Sequence, residues 1–138
     1  MTPKITEDAI EMMAVAALGK LGYRYFYGPD IAPDSENPQR ADFSETLLHK
    51  PLEAAISRLN PTLPAAAQAE ARREIQRLNS PELIANNESF HKLLTEGIPV
   101  SYQKDGSPRG DLVWLVDFAN PEKNEYWVVN QFTVIENG

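Results

Sequence analysis

The chain has 138 residues and carries 20 acidic against 13 basic side chains, a formal net charge of −7. That length suffices for one domain with a buried core and no covalent staples. The absence of cysteine removes disulfides, thiolate zinc sites and thiol catalysis together. Two histidines, His49 and His91, stand in unrelated contexts and argue against a His-built metal centre. No apolar run reaches membrane-spanning length, and Met1-Thr-Pro-Lys4 leads straight into a charged helix start. Neither a signal peptide nor an anchor is read, so a cytoplasmic protein is expected. The acidic balance weighs against strong nucleic-acid binding by this piece alone, because phosphate contact needs clustered Lys and Arg. It is equally compatible with carboxylates gathered around a metal.

Thr6 is placed to cap a first helix, with Glu7 and Asp8 at its positive end. Ile10, Met13, Ala14, Ala17, Leu18 and Leu21 recur at helical spacing and predict its core stripe, and Gly22 ends it. Glu11 falls at the edge of that stripe with Glu7 near it, a pair that reads most simply as a solvated flank. Tyr23–Tyr27 alternates as a short strand or extended arm. Gly28–Pro38, with three prolines, is a semi-rigid irregular connection and no domain boundary.

A second helix is predicted from Ser44 to about Leu59, with Leu48, Leu52, Ala55, Ile56 and Leu59 inward and Pro51 at a first-turn or kink position. Asn60-Pro-Thr-Leu-Pro64 breaks it. Ala65–Leu78 forms a third helix, with Ala71, Ile75 and Leu78 inward. Arg72, Arg73 and Arg77 face outward as a solvated face mixed with Glu70 and Glu74. Ser80 and Pro81 open a fourth helix as cap and first helical residue. Leu83, Asn87, Phe90 and Leu94, joined by Ile84 and Leu93, line its apolar side, and Gly97 closes it. Asn86-Asn87 leaves a bend open, and His91 reads as a partly buried histidine bonded to backbone.

The period then changes. Ile98–Gln103 is a strand, Lys104–Gly110 its turn, and Asp111–Phe118 a second strand. Ala119–Asn124 turns into the last and longest β-type run, Glu125–Ile135. Both faces of that run are mostly apolar, as in a central strand covered on two sides. Asn130 and Gln131 interrupt it, and a buried amide without a partner costs about 1–3 kcal/mol. Helices first and a meander second predict an α+β fold, its helices packed on an antiparallel sheet.

No Gly-rich phosphate loop and no Gly-x-Ser-x-Gly elbow is present. The chemistry left is carboxylate chemistry: Glu7 and Glu11 on the first helix, Asp111 and Asp117 flanking the second strand, Glu125 and Glu136 on the third. Asp111 and Glu125 read as strand-end charges. Carboxylates brought together from a helix and a sheet would suit Mg²⁺, a hard cation that takes oxygen ligands.

Several stretches together resemble the N-terminal region of the R (restriction) subunit of type I restriction–modification enzymes. They are Glu7-Asp-Ala-Ile-Glu11 with Leu21-Gly-Tyr23, Gly28-Pro-Asp30, Arg58-Leu-Asn-Pro61, Asn86-Asn87 with Phe90-His91, and Leu93–Gly97. The most specific are Arg109-Gly-Asp111 leading to Val116-Asp-Phe118, and Val128–Val134. The resemblance covers nearly the whole chain. It implies an incomplete restriction-endonuclease-like fold of the PD-(D/E)xK class, within a parent that is a DNA endonuclease and translocase dependent on ATP and Mg²⁺. The parent's implied partners are double-stranded DNA and the methyltransferase and specificity subunits. It also implies that Glu11, with Glu7 as the second candidate, is the accessory acid that joins an Asp and a Glu at the metal. In that family the Pro-Asp and Glu-x-Lys elements follow the strand matching Glu125–Ile135, and residues 1–138 stop before them. The expectation is therefore the leading part of the nuclease domain, inactive alone and with neither Mg²⁺ nor ATP bound. The alternative is a non-catalytic interaction module that self-associates through the edge of its last strand.

Overall fold

The computed structural model describes residues 4–78 and 82–136. Helix α1 spans Glu7–Lys20 and strand β1 Arg24–Tyr27, followed by a 3-10 turn at Gly28–Ile31. Then come α2 (His49–Leu59), α3 (Ala65–Gln76), α4 (Leu83–Glu96), β2 (Ile98–Lys104), β3 (Ser107–Val113) and β4 (Trp127–Asn130). The expected mixture of helix and sheet is present. Two compact units contain it: Met1–Lys50 with Glu125–Gly138, and Pro51–Asn124. Among the described residues no helix is long and apolar enough to cross a membrane.

The three-stranded antiparallel meander does not form. β2 and β3 make an antiparallel hairpin, whereas β4 pairs with β1 in parallel, Arg24 opposite Trp127 through Tyr27 opposite Asn130. The hairpin turn is shorter than predicted. Asp105 and Gly106 both take positive φ, 52° and 78°, the geometry of a two-residue turn that matches strand twist. Residues 107–110, expected as loop, therefore belong to β3, and the strand stops at Val113 instead of Phe118. One side chain ends it. Asn60 Oδ1 accepts from Trp114 N while Asn60 Nδ2 donates to Trp114 O, both at 2.8 Å. Asp117 and Asn124 then close the next loop, Asp117 N donating to Asn124 Oδ1 and Asn124 Nδ2 to Asp117 O.

In the second unit, Ala67, Ala71 and Ile75 of α3 are buried and pack on β2, whose Ile98 and Val100 are buried in turn. Ile56 of α2 and Val113 of β3 are fully enclosed. Pro51 sits in the first turn of α2, where a missing N–H costs nothing. The arginines of α3 are taken up by acids: Arg73 with Glu70 at 2.6 Å, Arg77 with Glu70 and Glu74, and Arg72 with Glu53 at 3.8 Å. Helix α4 runs unbroken through Asn86-Asn87 and ends at Gly97, whose φ is 82°. It buries no residue fully, and Leu83 and Ile84 of the predicted stripe are exposed. His91 is exposed rather than partly buried, and its carbonyl accepts from Thr95 Oγ1 at 3.0 Å. Ser80 and Pro81 lie outside the described residues.

The first unit is built on α1 and the β1–β4 pair. Thr6 caps α1 as expected, its Oγ1 accepting from Ala9 N at 3.1 Å. The predicted core stripe is not the buried face: Ile10, Met13 and Leu21 are 58, 67 and 76% exposed. Only Val15 is buried, flanked by half-buried Glu11 and Leu18. Those three lie one helical turn apart; Leu18 belongs to the edge of the predicted stripe, and the centre of the buried face is rotated roughly 100° around the axis from the stripe's centre. Sequence periodicity marks an apolar face but does not say which neighbour it meets.

Helix α2 starts five residues later than predicted. Asp42 Oδ1 accepts from both the amide and the hydroxyl of Ser44, at 2.8 and 2.6 Å, and Glu45 Oε2 accepts from Ala41 N at 2.9 Å. Such local side-chain bonds hold the backbone in turns that compete with a helix. The Ser44 hydroxyl and then its amide hold the Asp42 carboxyl below its ordinary range.

Candidate functional site

The predicted site acid stands where α1 meets the end of β4. Gln131 follows the last strand residue and adopts φ 52°, a left-handed conformation uncommon outside glycine that stops the ladder. This is why the expected run to Ile135 yields a four-residue strand. The turn aims the Gln131 side chain at α1, and its Nε2 donates to both Glu11 oxygens at 3.1 Å. Glu11 thus lies beside the C-terminal part of the 125–135 run, and its half-burial follows from the rotated inward face of α1.

Asn130, the other awkward amide, is also satisfied within the chain: Tyr25 Oη donates to its Oδ1 at 2.7 Å. Neither amide needs a neighbour from elsewhere to explain its place. Beside them, Gly28 approaches the backbone of residues 130 and 131 so closely that an added Cβ would fall 2.2 Å from Gln131 O. A cleft of about 210 Å³ opens next to this contact, lined by Gly28, Asp34, Phe43, Gln131 and Thr133 among others.

Three of the remaining sequence-marked carboxylates, Asp117, Asp111 and Glu125, have structural partners. Asp117 Oδ1 accepts from Ala119 N and Asn120 N, at 3.1 and 2.9 Å, and so caps its loop. Asp111 accepts from Tyr102 Oη at 2.6 Å across the hairpin, and that bond pushes the tyrosine hydroxyl above its ordinary range. Glu125 accepts from Trp127 Nε1 at 3.2 Å. Glu7 is exposed on the first turn of α1. In the second unit a larger cleft, about 440 Å³, is lined mainly by Leu59, Trp114, Val116 and Phe118. Its one carboxylate is Asp117, already committed to the loop.

Mg²⁺ requires a near-octahedral set of oxygens. Among the described residues no group of three or more His, Asp or Glu side chains could hold a metal ion. Glu11 supplies one carboxylate, and both its oxygens accept from Gln131. These residues alone do not fit a Mg²⁺ site. What they build is a single oriented acid.

Two residues of this region carried no signal in the sequence reading. Arg40 is 3% exposed, and its guanidinium reaches carbonyl oxygens in two separate segments. Nothing in the composition of residues 28–45 distinguishes it. Tyr25 read only as a strand residue, because its amide partner lies 105 positions away.

Helix α1 thus holds one acid against the end of a short parallel strand pair. Comparison with known proteins identifies the class of the chain. The family described as type I restriction enzyme R protein N terminus matches residues 4–138, and the chain belongs to it. Among its relatives is the type I restriction enzyme HindI endonuclease subunit of Haemophilus influenzae. That protein is 31% identical over 130 residues, covering 94% of this chain and 12% of its own length. A Methanocaldococcus jannaschii protein, provisionally named as the type I restriction enzyme MjaIXP endonuclease subunit, is 30% identical over 139 residues. There the match covers 98% of this chain and 13% of the relative. The chain therefore spans about an eighth of the length of these relatives. No solved structure matches it significantly.

Proposed function

We propose that these residues form the leading part of the nuclease domain in the R subunit of a type I restriction enzyme, with Glu11 as the accessory acid. The parent would be an endonuclease and translocase that acts on double-stranded DNA with ATP and Mg²⁺, in complex with methyltransferase and specificity subunits. Membership of the R-protein family and two relatives named as endonuclease subunits support this reading. The observation that carries the assignment to Glu11 is its bond to Gln131. Of the two acids on α1, Glu11 is half-buried at the end of the strand pair, while Glu7 faces water.

In this reading Glu11 would help to hold Mg²⁺ only together with the Asp and Glu of the family's Pro-Asp and Glu-x-Lys elements, and the ion would there supply activation of a water for attack on the phosphodiester. The work of the chain's own residues is narrower. Helix α1 holds Glu11 at the strand end, Gln131 fixes the direction of its carboxylate, and Gly28 admits the backbone of residues 130 and 131 close beside it. Groups that complete the site, an Asp and a Glu-x-Lys pair, do not follow β4 within these residues. The 138-residue chain alone is thus expected to leave supercoiled plasmid intact with Mg²⁺ or Mn²⁺. Nicking that disappears in Glu11→Ala would contradict that expectation.

A further inference from the structure

After β4 the backbone has no ladder partner, yet residues 131–135 follow a defined path. Two ties from the loop before α2 hold them. Arg40 Nη2 donates to Thr133 O, and Ile135 N donates to Phe43 O at 2.9 Å. The same guanidinium reaches back into its own loop, with Nη1 donating to Phe43 O at 3.1 Å and to Glu45 O at 2.6 Å. Its plane lies over the Phe132 ring, 4.1 Å from the centroid.

This arrangement is unusual for a buried cation. Among the described residues all three acceptors are carbonyl oxygens, and Arg40 Nε is buried without a hydrogen-bond partner. The Asp42 carboxylate, two residues on, accepts hydrogen bonds from Ser44 instead and meets the guanidinium only through a weaker charge interaction. Burying a charge without an ion-pair partner is a poor way to gain stability. What the guanidinium offers here is shape: a rigid planar fork that can hold two segments in fixed relation, where an ammonium is a single point.

We propose that Arg40 is a positioning residue for the Glu11 site. By anchoring Thr133 and Phe132 it sets the path of the chain two residues beyond Gln131, and so holds Gln131 in the left-handed turn that directs its amide at Glu11. The loop at residues 40–45 takes the place that a neighbouring strand would occupy. The inference rests on the reading of Glu11 as the site acid only for what the positioning serves. Its test needs neither DNA nor metal, so failure of the nuclease reading and failure of the positioning are seen separately.

Arg40→Met and Arg40→Lys are compared with the parent chain by NMR, with Glu11→Ala marking where the Gln131 side-chain amide resonates when its acceptor is gone. In both Arg40 variants that resonance is expected to move to the Glu11→Ala position. The Ile135 amide should exchange roughly tenfold faster. The Arg24 amide, which donates to Tyr126 O at 2.8 Å at the far end of the β1–β4 pair, should keep its protection. A Gln131 resonance left at its parent position in either variant would overturn the proposal. So would loss of Arg24 protection along with that of Ile135, which would make Arg40 a general support of the unit.

Discussion

Gly28→Ala is expected to destabilise the first unit by about 3 kcal/mol and to lower its thermal midpoint by about 12–24 °C. The reason is space. An alanine Cβ would stand 2.2 Å from Gln131 O, 2.6 Å from Asn130 O and 2.7 Å from Gln131 C, all backbone atoms. A flexible side chain could swing aside, whereas these atoms belong to the strand end and the turn that carry Asn130 and Gln131. Relief requires β4 to move away from the Gly28 turn, which would loosen the Tyr25–Asn130 bond and the Gln131–Glu11 bond together. Gly19→Ala is the matched control. It lies in α1 with nothing within 4 Å of its Cβ position, and should be neutral or stabilising by up to about 1 kcal/mol. Thermal unfolding followed by the fluorescence of Trp127, in chains where Trp114 is replaced, would report the first unit. An unchanged midpoint for Gly28→Ala would remove the close approach from the account.

Asn60→Ala should cost the second unit about 3 kcal/mol. Asn60 is 4% exposed and satisfies three backbone groups at once. Its Nδ2 donates to Ile56 O and Trp114 O, each at 2.8 Å, while its Oδ1 accepts from Trp114 N at 2.8 Å. Alanine would leave all three without that partner, in a setting where each unpaired buried group costs about 1–3 kcal/mol. Asn60→Asp should be about as harmful, because it keeps the acceptor but sets a carboxylate oxygen against two carbonyl oxygens. Urea denaturation measures both. A loss below about 1 kcal/mol for either variant would show that the Trp114 backbone finds other partners.

Both residues sit in stretches that carried the family resemblance, and they show what such stretches encode. Arg58-Leu-Asn-Pro61 is a structural clasp: Arg58 Nε donates to Lys123 O at 2.9 Å, and Asn60 ends β3. Val116-Asp-Phe118 likewise places a loop cap at Asp117. Helices α1, α3 and α4 were legible because their signals are local, in Thr6, Ala65–Gln76 and Gly97. The start of α2 was hidden by Asp42 and Ser44, whose turn competes with a helix that periodicity would begin earlier.

The sheet was least legible. An Asp-Gly turn announces a hairpin, and its effect on the length of β3 can be worked out from two residues. The parallel pairing of β1 with β4 joins residues about a hundred positions apart and leaves no comparable local mark. For the same reason the apolar run Glu125–Ile135 looked like one long strand. Its break at Gln131 depends on Gly28 and Arg40, far away in sequence, to hold the turn. At the site, Glu11 was readable as an acid beside an apolar face. Its partner was not, because an amide in a strand-like run points equally to either side until the backbone turns.

The central claim is that Glu11, held by α1 and Gln131, is an acid of the nuclease site. The most direct measurement is DNA cleavage by the proposed parent R subunit, assembled with the proposed methyltransferase and specificity subunits, unaltered and as Glu11→Ala and Glu7→Ala variants. With ATP and Mg²⁺ present, Glu11→Ala should lower cleavage by roughly 100-fold while ATP hydrolysis continues. Glu7→Ala should cleave at nearly the parent rate. Parent-level cleavage by Glu11→Ala in an assembled, ATP-hydrolysing enzyme would contradict the claim.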